Sequence, residues 1–128
     1  MADHFGFTKL VVHDLERSAA FYKAVCGITE QGRVDAKIEG RRIREIMFNA
    51  TAQGGGTFVL LTFPDEPAVP PSEVILGFIT KDLKGFIDRV RKAGGTVTQD
   101  MASQPEHGVK VAFVRDIEGH LIEVVELL

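Results

Sequence analysis

The stretch Phe-Thr-Lys-Leu-Val-Val-His-Asp-Leu-Glu-Arg-Ser-Ala-Ala-Phe-Tyr, residues 7–22, decides the fold. Its opening, Phe7 to Val12, is rich in Val, Leu and Phe and predicts a β-strand. Asp14 then offers a side-chain acceptor to the first backbone amides of a helix. The apolar residues that recur at helical spacing are Leu15, Ala19, Tyr22 and Cys26. Because Gly27 follows where helices commonly end, we predict a helix from Leu15 to Cys26.

The same pattern returns in the second half of the chain. Ile75 to Thr80 is strand-like, Asp82 can cap a helix that begins at Leu83, and Gly94-Gly95 marks its end. The predicted buried stripe of this helix consists of Leu83, Phe86, Ile87 and Val90. A repeat at about half the chain length indicates two similar modules rather than a solenoid.

Three further strand candidates follow each helix. They are Thr29 to Val34, Arg42 to Asn49 and Thr57 to Phe63 in the first half, and Thr96 to Asp100, Val109 to Arg115 and Leu121 to Leu127 in the second. The segment Arg42 to Asn49 also fits a helical stripe. The predicted fold class is α+β, with two tandem βαβββ modules at about 5–63 and 73–128. A stiff, exposed, proline-rich connector at 64–72 joins them.

Composition narrows the classes of protein that the chain can represent. The 128 residues are 45% hydrophobic and 26% charged, which is typical of one globular domain. A net charge of -3 disfavours nucleic acid and anionic membranes as partners. No apolar run is long enough for a membrane span, no secretory leader is visible, and Cys26 is the single cysteine. We therefore expect a cytoplasmic protein with neither nucleic-acid nor membrane partners.

Two segments resemble a known superfamily. Residues 7–22 and the later stretch Phe-Val-Arg-Asp-Ile-Glu-Gly-His-Leu-Ile-Glu, residues 113–123, resemble the opening and closing signatures of the vicinal oxygen chelate superfamily. This superfamily includes glyoxalase I, bleomycin-resistance proteins, fosfomycin-resistance enzymes, extradiol dioxygenases and methylmalonyl-CoA epimerase. The resemblance covers the whole chain. It implies a curved mixed sheet that forms a cup around a ligand, helices on the outer face, and a homodimer.

The resemblance also indicates where a metal would bind in the metal-using members. The corresponding positions here are Phe7 and Ile75, at the starts of the first strands, and Leu60 and Glu123, on the last strands. Only Glu123 can donate to a metal, whereas a divalent ion needs about three N, O or S donors. We therefore expect no metal and an apolar cup that includes Phe7, Leu60 and Ile75. A divalent metal such as Zn, Ni, Fe or Mn is expected only if these positions are assigned wrongly.

Two functions follow from this expectation. The first is binding of a small, partly hydrophobic organic molecule in the apolar cup, without metal. The second is a lyase or isomerase of the glyoxalase I type, in which Glu123 acts as a base next to a carbonyl, or as a metal ligand. In the second case Lys9 or Arg44 would stabilise the developing enolate. A competing interpretation gives Glu123 a salt bridge with Lys9.

Other polar residues are candidates for ligand contact or have simpler structural interpretations. His107 lies in the loop Pro105 to Gly108, and such loops overhang the cup in the superfamily, so it is a candidate for ligand contact or catalysis. Arg44 is the strongest anion-binding candidate in a basic cluster that otherwise predicts a solvated face. His120 is expected to be solvated in the final hairpin turn, and Cys26 to be a buried, unreactive thiol.

Overall fold

The structure is a computed structural model that describes residues 4–128. Within this range the first half contains β1 (Phe7–Val11), α1 (Leu15–Cys26), β2 (Glu30–Ile38), β3 (Arg41–Phe48) and β4 (Thr57–Thr62). The second half contains β5 (Ile75–Ile79), α2 (Leu83–Lys92), β6 (Thr96–Gln104), a short 3-10 helix (Pro105–His107), β7 (Val109–Arg115) and β8 (Leu121–Leu127). The predicted tandem βαβββ order is confirmed.

Helix α1 has the predicted ends. Asp14 accepts a hydrogen bond from the backbone N–H of Arg17 at 3.1 Å, which satisfies one of the free amides of the first turn. Gly27 closes the helix with φ of 66°, a left-handed conformation that glycine adopts without steric cost. The ring of Tyr22 packs on Phe58 of β4 at 5.0 Å between centroids. Helix α1 therefore covers the face of its sheet that carries Phe58.

Helix α2 is capped twice at its start. The Asp82 side chain accepts from the N–H of Gly85, and Glu126 of β8 accepts from the N–H of Leu83. The four residues of the predicted stripe are all buried, and Phe86 contacts Phe78 of β5. The sequence suggested that Gly94-Gly95 ends this helix, and α2 does end just before them, at Lys92.

Each module forms a four-stranded mixed sheet. Sheet 1 has the order β1-β4-β3-β2 and sheet 2 the order β5-β8-β7-β6. In both sheets the first and last strands of the module are parallel and the other neighbours are antiparallel. The chain divides into two compact units, with the boundary in the connector between Val69 and Pro70, and with Ala24–Cys26 grouped with the second unit.

Two strands are longer than predicted. Strand β2 continues past Val34 to Ile38, because Glu39 and Gly40, with φ of 50° and 77°, form a two-residue turn that pairs β2 with all of β3. The helical alternative for Arg42 to Asn49 is therefore wrong. Strand β6 continues past Asp100 to Gln104, with two irregularities in its register against β7.

The two sheets each have a face opposite their own helix, which we call the helix-free face. The strand register and the alternation of side chains define which residues of sheet 1 share this face. They are Phe7, Lys9, Val11, Glu45, Met47, Val59 and Leu61. On sheet 2 it carries Ile75, Gly77, Ile79, Val111, Phe113, Leu121, Glu123 and Val125. Both faces are mainly apolar.

The basic cluster of β2 and β3 is largely paired with acids. Arg33 bridges Glu16 and Glu30, while Arg41 and Arg42 pair with acids of the connector, Glu66 and Asp65. Arg41 also lies over the ring of Phe63 at 3.6 Å from its centroid. These contacts agree with the prediction of a solvated, mixed-charge face.

The pairing predicts how Glu30 titrates. The side-chain hydrogen bonds from Arg33 and Lys23 lower the pKa of Glu30 from its usual 4.5 to about 2. A carboxyl with a depressed folded pKa contributes stability above its unfolded value and loses it as pH falls through the folded value. We expect the NMR carboxyl signal of Glu30 to titrate near pH 2, and in Arg33→Gln to titrate closer to 4.5. A midpoint near 4.5 in the unmodified protein would contradict the network.

Within residues 4–128, no helix is long and apolar enough to span a membrane.

Candidate functional site

Glu123 lies on the helix-free face of sheet 2, between a glycine and an aromatic ring. The register pairs it with Gly77 of β5 and with Phe113 of β7. No atom of the described residues lies within 4 Å of the position that a side chain on Gly77 would occupy, which leaves space beside the carboxylate. Glu123 is half-buried and makes no hydrogen bond or ion pair with any residue in the described range. It is a carboxylate in an apolar setting whose oxygens accept no hydrogen bond from residues 4–128.

Apolar side chains surround Glu123 along the strands. On β5, Ile75 is 58% exposed, and Ile79 is also exposed. On β8, Leu121 and Val125 precede and follow Glu123 on the same face and are half-buried. This arrangement offers hydrophobic contact area around a single acidic group, which suits a ligand with an apolar body and one polar centre.

The helix-free face of sheet 1 carries an ion pair embedded in apolar residues. Lys9 Nζ lies 3.0 Å from Glu45 Oε2, and the Glu45 side chain is only 9% exposed. This contact lacks hydrogen-bond geometry, and within the described range no hydrogen bond reaches Glu45 Oε2. At this short distance the two opposite charges still attract each other and form an ion pair. Lys9 therefore has an acidic partner on its own sheet, and the salt bridge between Lys9 and Glu123 stays a prediction.

Leu60 does not lie on the same face as Phe7. It pairs with Leu10 and Ile46, alternates with Phe58 under α1, and has no exposed surface. The prediction that Leu60 lies beside Phe7 in the cup is therefore wrong by one residue. Neighbouring residues of a strand point to opposite faces of the sheet. Phe7 pairs with Thr57 as Ile75 pairs with Leu121, so Val59 is the counterpart of Glu123.

The corrected positions are no better suited to a metal. Phe7, Val59 and Ile75 offer only hydrocarbon where the metal-using relatives are expected to carry donors, and Glu123 alone provides oxygen. Among residues 4–128, no group of three or more His, Cys, Asp or Glu side chains is placed to hold an ion. These residues do not fit a resident divalent metal.

His107 is distant from Glu123. It ends the short 3-10 helix before β7, is exposed, and is followed by Gly108 with φ of 68°. Phe113, the cross-strand partner of Glu123, lies four residues along β7 from Val109, or about 13 Å at the usual rise per residue. The structure therefore does not bring His107 and Glu123 together, and ligand contact by His107 alone stays a prediction.

Arg44 and Lys9 lie on opposite faces of sheet 1. Arg44 alternates with Glu45 along β3 and stands on the side of α1, where it lines a cleft of 280 Å³ with Leu15 and Glu16. Its guanidinium is 3.8 Å from Asp35, a loose pair between exposed groups. Acidic and basic side chains both line this cleft, so it does not form an anion clamp. The prediction that either Arg44 or Lys9 serves the same ligand as Glu123 remains untested.

His120 is buried, contrary to the expectation that it is solvated. Its Nδ1 lies 2.8 Å from Asp116 Oδ2, and Asp116 Oδ1 accepts from the backbone N–H groups of Glu118 and His120. Asp116 is itself buried. The pair fixes the turn that leads into β8 and so positions the strand that carries Glu123. The Asp-x-x-x-His spacing was a signal for this contact that the turn prediction overlooked.

Cys26 is a half-buried thiol at the end of α1. Burial raises its pKa from 9.0 to about 12, and the charge of Arg89 only partly opposes this effect. At a given pH the folded protein should hold about 1,000-fold less thiolate than the usual pKa gives. We expect a disulfide reagent at pH 8 to label Cys26 only in guanidinium. Rapid labelling of the folded protein would contradict this environment.

The fold and the site together define a protein of tandem βαβββ modules whose metal-donor positions are mostly hydrocarbon. The chain belongs to the Glyoxalase/Bleomycin resistance protein/Dioxygenase superfamily, whose family model matches residues 2–124. This membership confirms the resemblance in the sequence. No curated protein sequence is similar enough to the chain to count as a relative.

Solved structures share the fold at low sequence identity. A glyoxalase family protein from Bacillus cereus is 18% identical with a TM-score of 0.85, and the match covers 100% of this chain and 96% of that one. TioX from Micromonospora sp. ML1 is 23% identical, with a TM-score of 0.69 and coverage of 99% and 100%. An E144Q glyoxalase I mutant from Zea mays is 21% identical with a TM-score of 0.72. That match covers 94% of this chain and 46% of the maize chain.

Proposed function

We propose that the protein binds a small, partly hydrophobic organic molecule without a metal, against the helix-free faces of its sheets. The observation that carries the proposal is the lack of metal-binding atoms at the positions where donors to a metal are expected. Phe7, Val59 and Ile75 are hydrocarbon at the positions where metal-using relatives are expected to bind their ion. Of these, Phe7 and Ile75 are exposed and favour contact with an apolar ligand, because its binding removes their apolar area from water.

A thermal-shift panel tests this function. The protein, first treated with a chelator, is melted with aromatic and aliphatic organic acids, ketones and amides, and separately with Ni²⁺, Co²⁺, Zn²⁺, Mn²⁺ and Fe²⁺. A ligand at tenfold its Kd adds about 1.4 kcal/mol to the free energy of unfolding, which raises Tm by several degrees. We expect organic compounds to raise Tm and the metals not to do so. A panel in which only a metal raises Tm would overturn the proposal.

Glu123 supports a second candidate function, proton transfer next to a carbonyl. A half-buried carboxylate without a partner among the described residues, with open space above Gly77, is arranged as a general base would be. In this reaction Glu123 would accept the proton from carbon and return it to the neighbouring position of the substrate, as a lyase or isomerase requires.

Kinetics of a conservative variant test this second function. Glu123→Gln keeps the shape of the side chain but cannot accept the proton, so turnover of an aldehyde or ketone substrate should fall by about 100-fold or more. Glu106→Gln, at an exposed position in the same unit, is the matched control and should retain the full rate. Equal rates for all three proteins would remove Glu123 from any catalytic role.

We also propose that the protein forms a homodimer. Strands β2 and β6 are sheet edges, and Ile79 and Leu127 are exposed apolar residues that a second copy would cover. Sedimentation at micromolar concentration should give twice the mass of the 128-residue chain. A monomer under these conditions would contradict the proposal.

A further inference from the structure

We infer that Lys9 is an anchor for the carboxylate of an amphipathic ligand, so that the ligand class is an aromatic or aliphatic carboxylic acid. This inference rests on the proposed function, because it assumes that the helix-free face of sheet 1 binds the ligand. It goes further by naming the polar group that this face recognises and the residue that recognises it.

Lys9 has hydrogen-bonding capacity that its partner on the sheet does not use. An ammonium group has three donors. Within the described range, the partner of Lys9 Nζ is Glu45 Oε2, and that contact lacks hydrogen-bond geometry. The Lys9 side chain is 33% exposed, so the ammonium remains accessible from the face. Its donors are available to a ligand that supplies acceptor oxygens.

The charge of Lys9 lies beside an exposed aromatic ring. Lys9 Nζ lies 5.7 Å from the centre of the Phe7 ring, and Phe7 is 59% exposed. In the register, Val59 lies beside Lys9 and is buried. A cation beside an exposed aromatic ring matches a molecule with an anionic end and an apolar body. An apolar body stacked on Phe7 would place its carboxylate beside the ammonium.

Glu45 acts as a positioning residue for this anchor. Its nearly buried carboxylate holds the ammonium at one place on the sheet. Glu45 pairs with Leu61, beside Val11, while Phe7 lies at the opposite end of β1. The ligand carboxylate therefore approaches Lys9 from the side of Phe7, away from the charge of Glu45.

Two matched probes test the anchor. The affinities of 2-naphthoate and its neutral analogue 2-naphthamide are measured by calorimetry at low salt on the full chain. Because charge-assisted hydrogen bonds are the stronger ones, the unmodified protein should prefer naphthoate by about tenfold. Lys9→Met should abolish the preference, Lys9→Arg should retain most of it, and Lys110→Met, which removes a lysine paired with Glu126 in the other unit, should leave it unchanged.

A second variant provides the test if Lys9→Met does not fold. Lys9→Met leaves the buried Glu45 carboxylate without its counter-ion, which can unfold the protein. The double variant Lys9→Met/Glu45→Gln removes both charges and should bind naphthamide as the unmodified protein does, without a preference for naphthoate. Glu45→Gln alone should reduce the preference while leaving naphthamide affinity unchanged.

The outcomes separate the two proposals. If neither probe binds the unmodified protein, both the proposed function and the anchor are contradicted. If both probes bind equally, or if Lys9→Met weakens both equally, the apolar face binds ligands but the carboxylate anchor is wrong. Only a preference that disappears with Lys9 and survives in Lys9→Arg supports the inference.

Discussion

Replacing Leu60 by alanine should lower the free energy of unfolding by about 2–5 kcal/mol. Leu60 has no exposed surface and packs under α1 between Leu10 and Ile46, its neighbours in the register. Truncation removes buried apolar contacts and leaves a cavity in a part of the core that cannot easily collapse. Urea denaturation followed by circular dichroism measures the loss.

A residue on the opposite face provides the matched control. Phe7 is exposed, and Phe7→Ala should change stability by only about 0.5 kcal/mol, as is usual for surface positions. If Leu60→Ala and Phe7→Ala cost the same, the assignment of the two residues to opposite faces of sheet 1 would be wrong. The folded Leu60→Ala protein should also bind 2-naphthoate as the unmodified protein does, since Leu60 does not face the ligand.

Replacing Asp116 by alanine should cost about 2–5 kcal/mol. Its carboxylate accepts hydrogen bonds from the amides of Glu118 and His120 and contacts the His120 ring at 2.8 Å. Because both side chains are buried, removal of the acceptor leaves donors that water cannot readily satisfy. Thermal and urea unfolding measure the loss.

Two comparisons control for the loss of charge at Asp116. Asp35→Ala removes a carboxylate whose side chain is 80% exposed and should have an effect near zero. Asp116→Asn keeps one acceptor oxygen and should lie between Asp116→Ala and the unmodified protein. An Asp116→Ala protein as stable as Asp35→Ala would show that the buried pair does not hold the turn before β8.

The helices could be predicted because their signals are local. Asp14 and Asp82 cap amides three residues away, and Gly27 ends α1 in a left-handed conformation. Each of these contacts lies within one turn of the residues that make it, so sequence spacing alone determines it. The tandem order followed from finding the same local pattern twice.

The face of β4 could not be predicted reliably from spacing. Strand side chains alternate with a period of two, so an error of one residue moves the whole set to the other face. The mistaken choice of Leu60 over Val59 is such an error. A better signal was present in the repeat itself, because Phe7 aligns with Ile75 and the partner strands then align Val59 with Glu123.

The partners in the ion pair of sheet 1 could not be predicted from the sequence either. Lys9 and Glu45 are distant in the chain and meet only because β1, β4 and β3 are neighbours in one sheet. Nothing in the sequence spacing of Lys9 and Glu45 selects this pair. The choice depends on strand order and register, which sequence patterns constrain only weakly.

The most direct test of the account is methyl NMR of the protein titrated with 2-naphthoate. If the ligand binds beside Lys9, the largest shifts occur at methyls of the helix-free face of sheet 1, represented by Val11 and Val59, and Leu60 and Ile46, on the face covered by α1, shift least. Shifts concentrated at Leu15, in the cleft beside α1, would contradict this binding face, as would the absence of any shift.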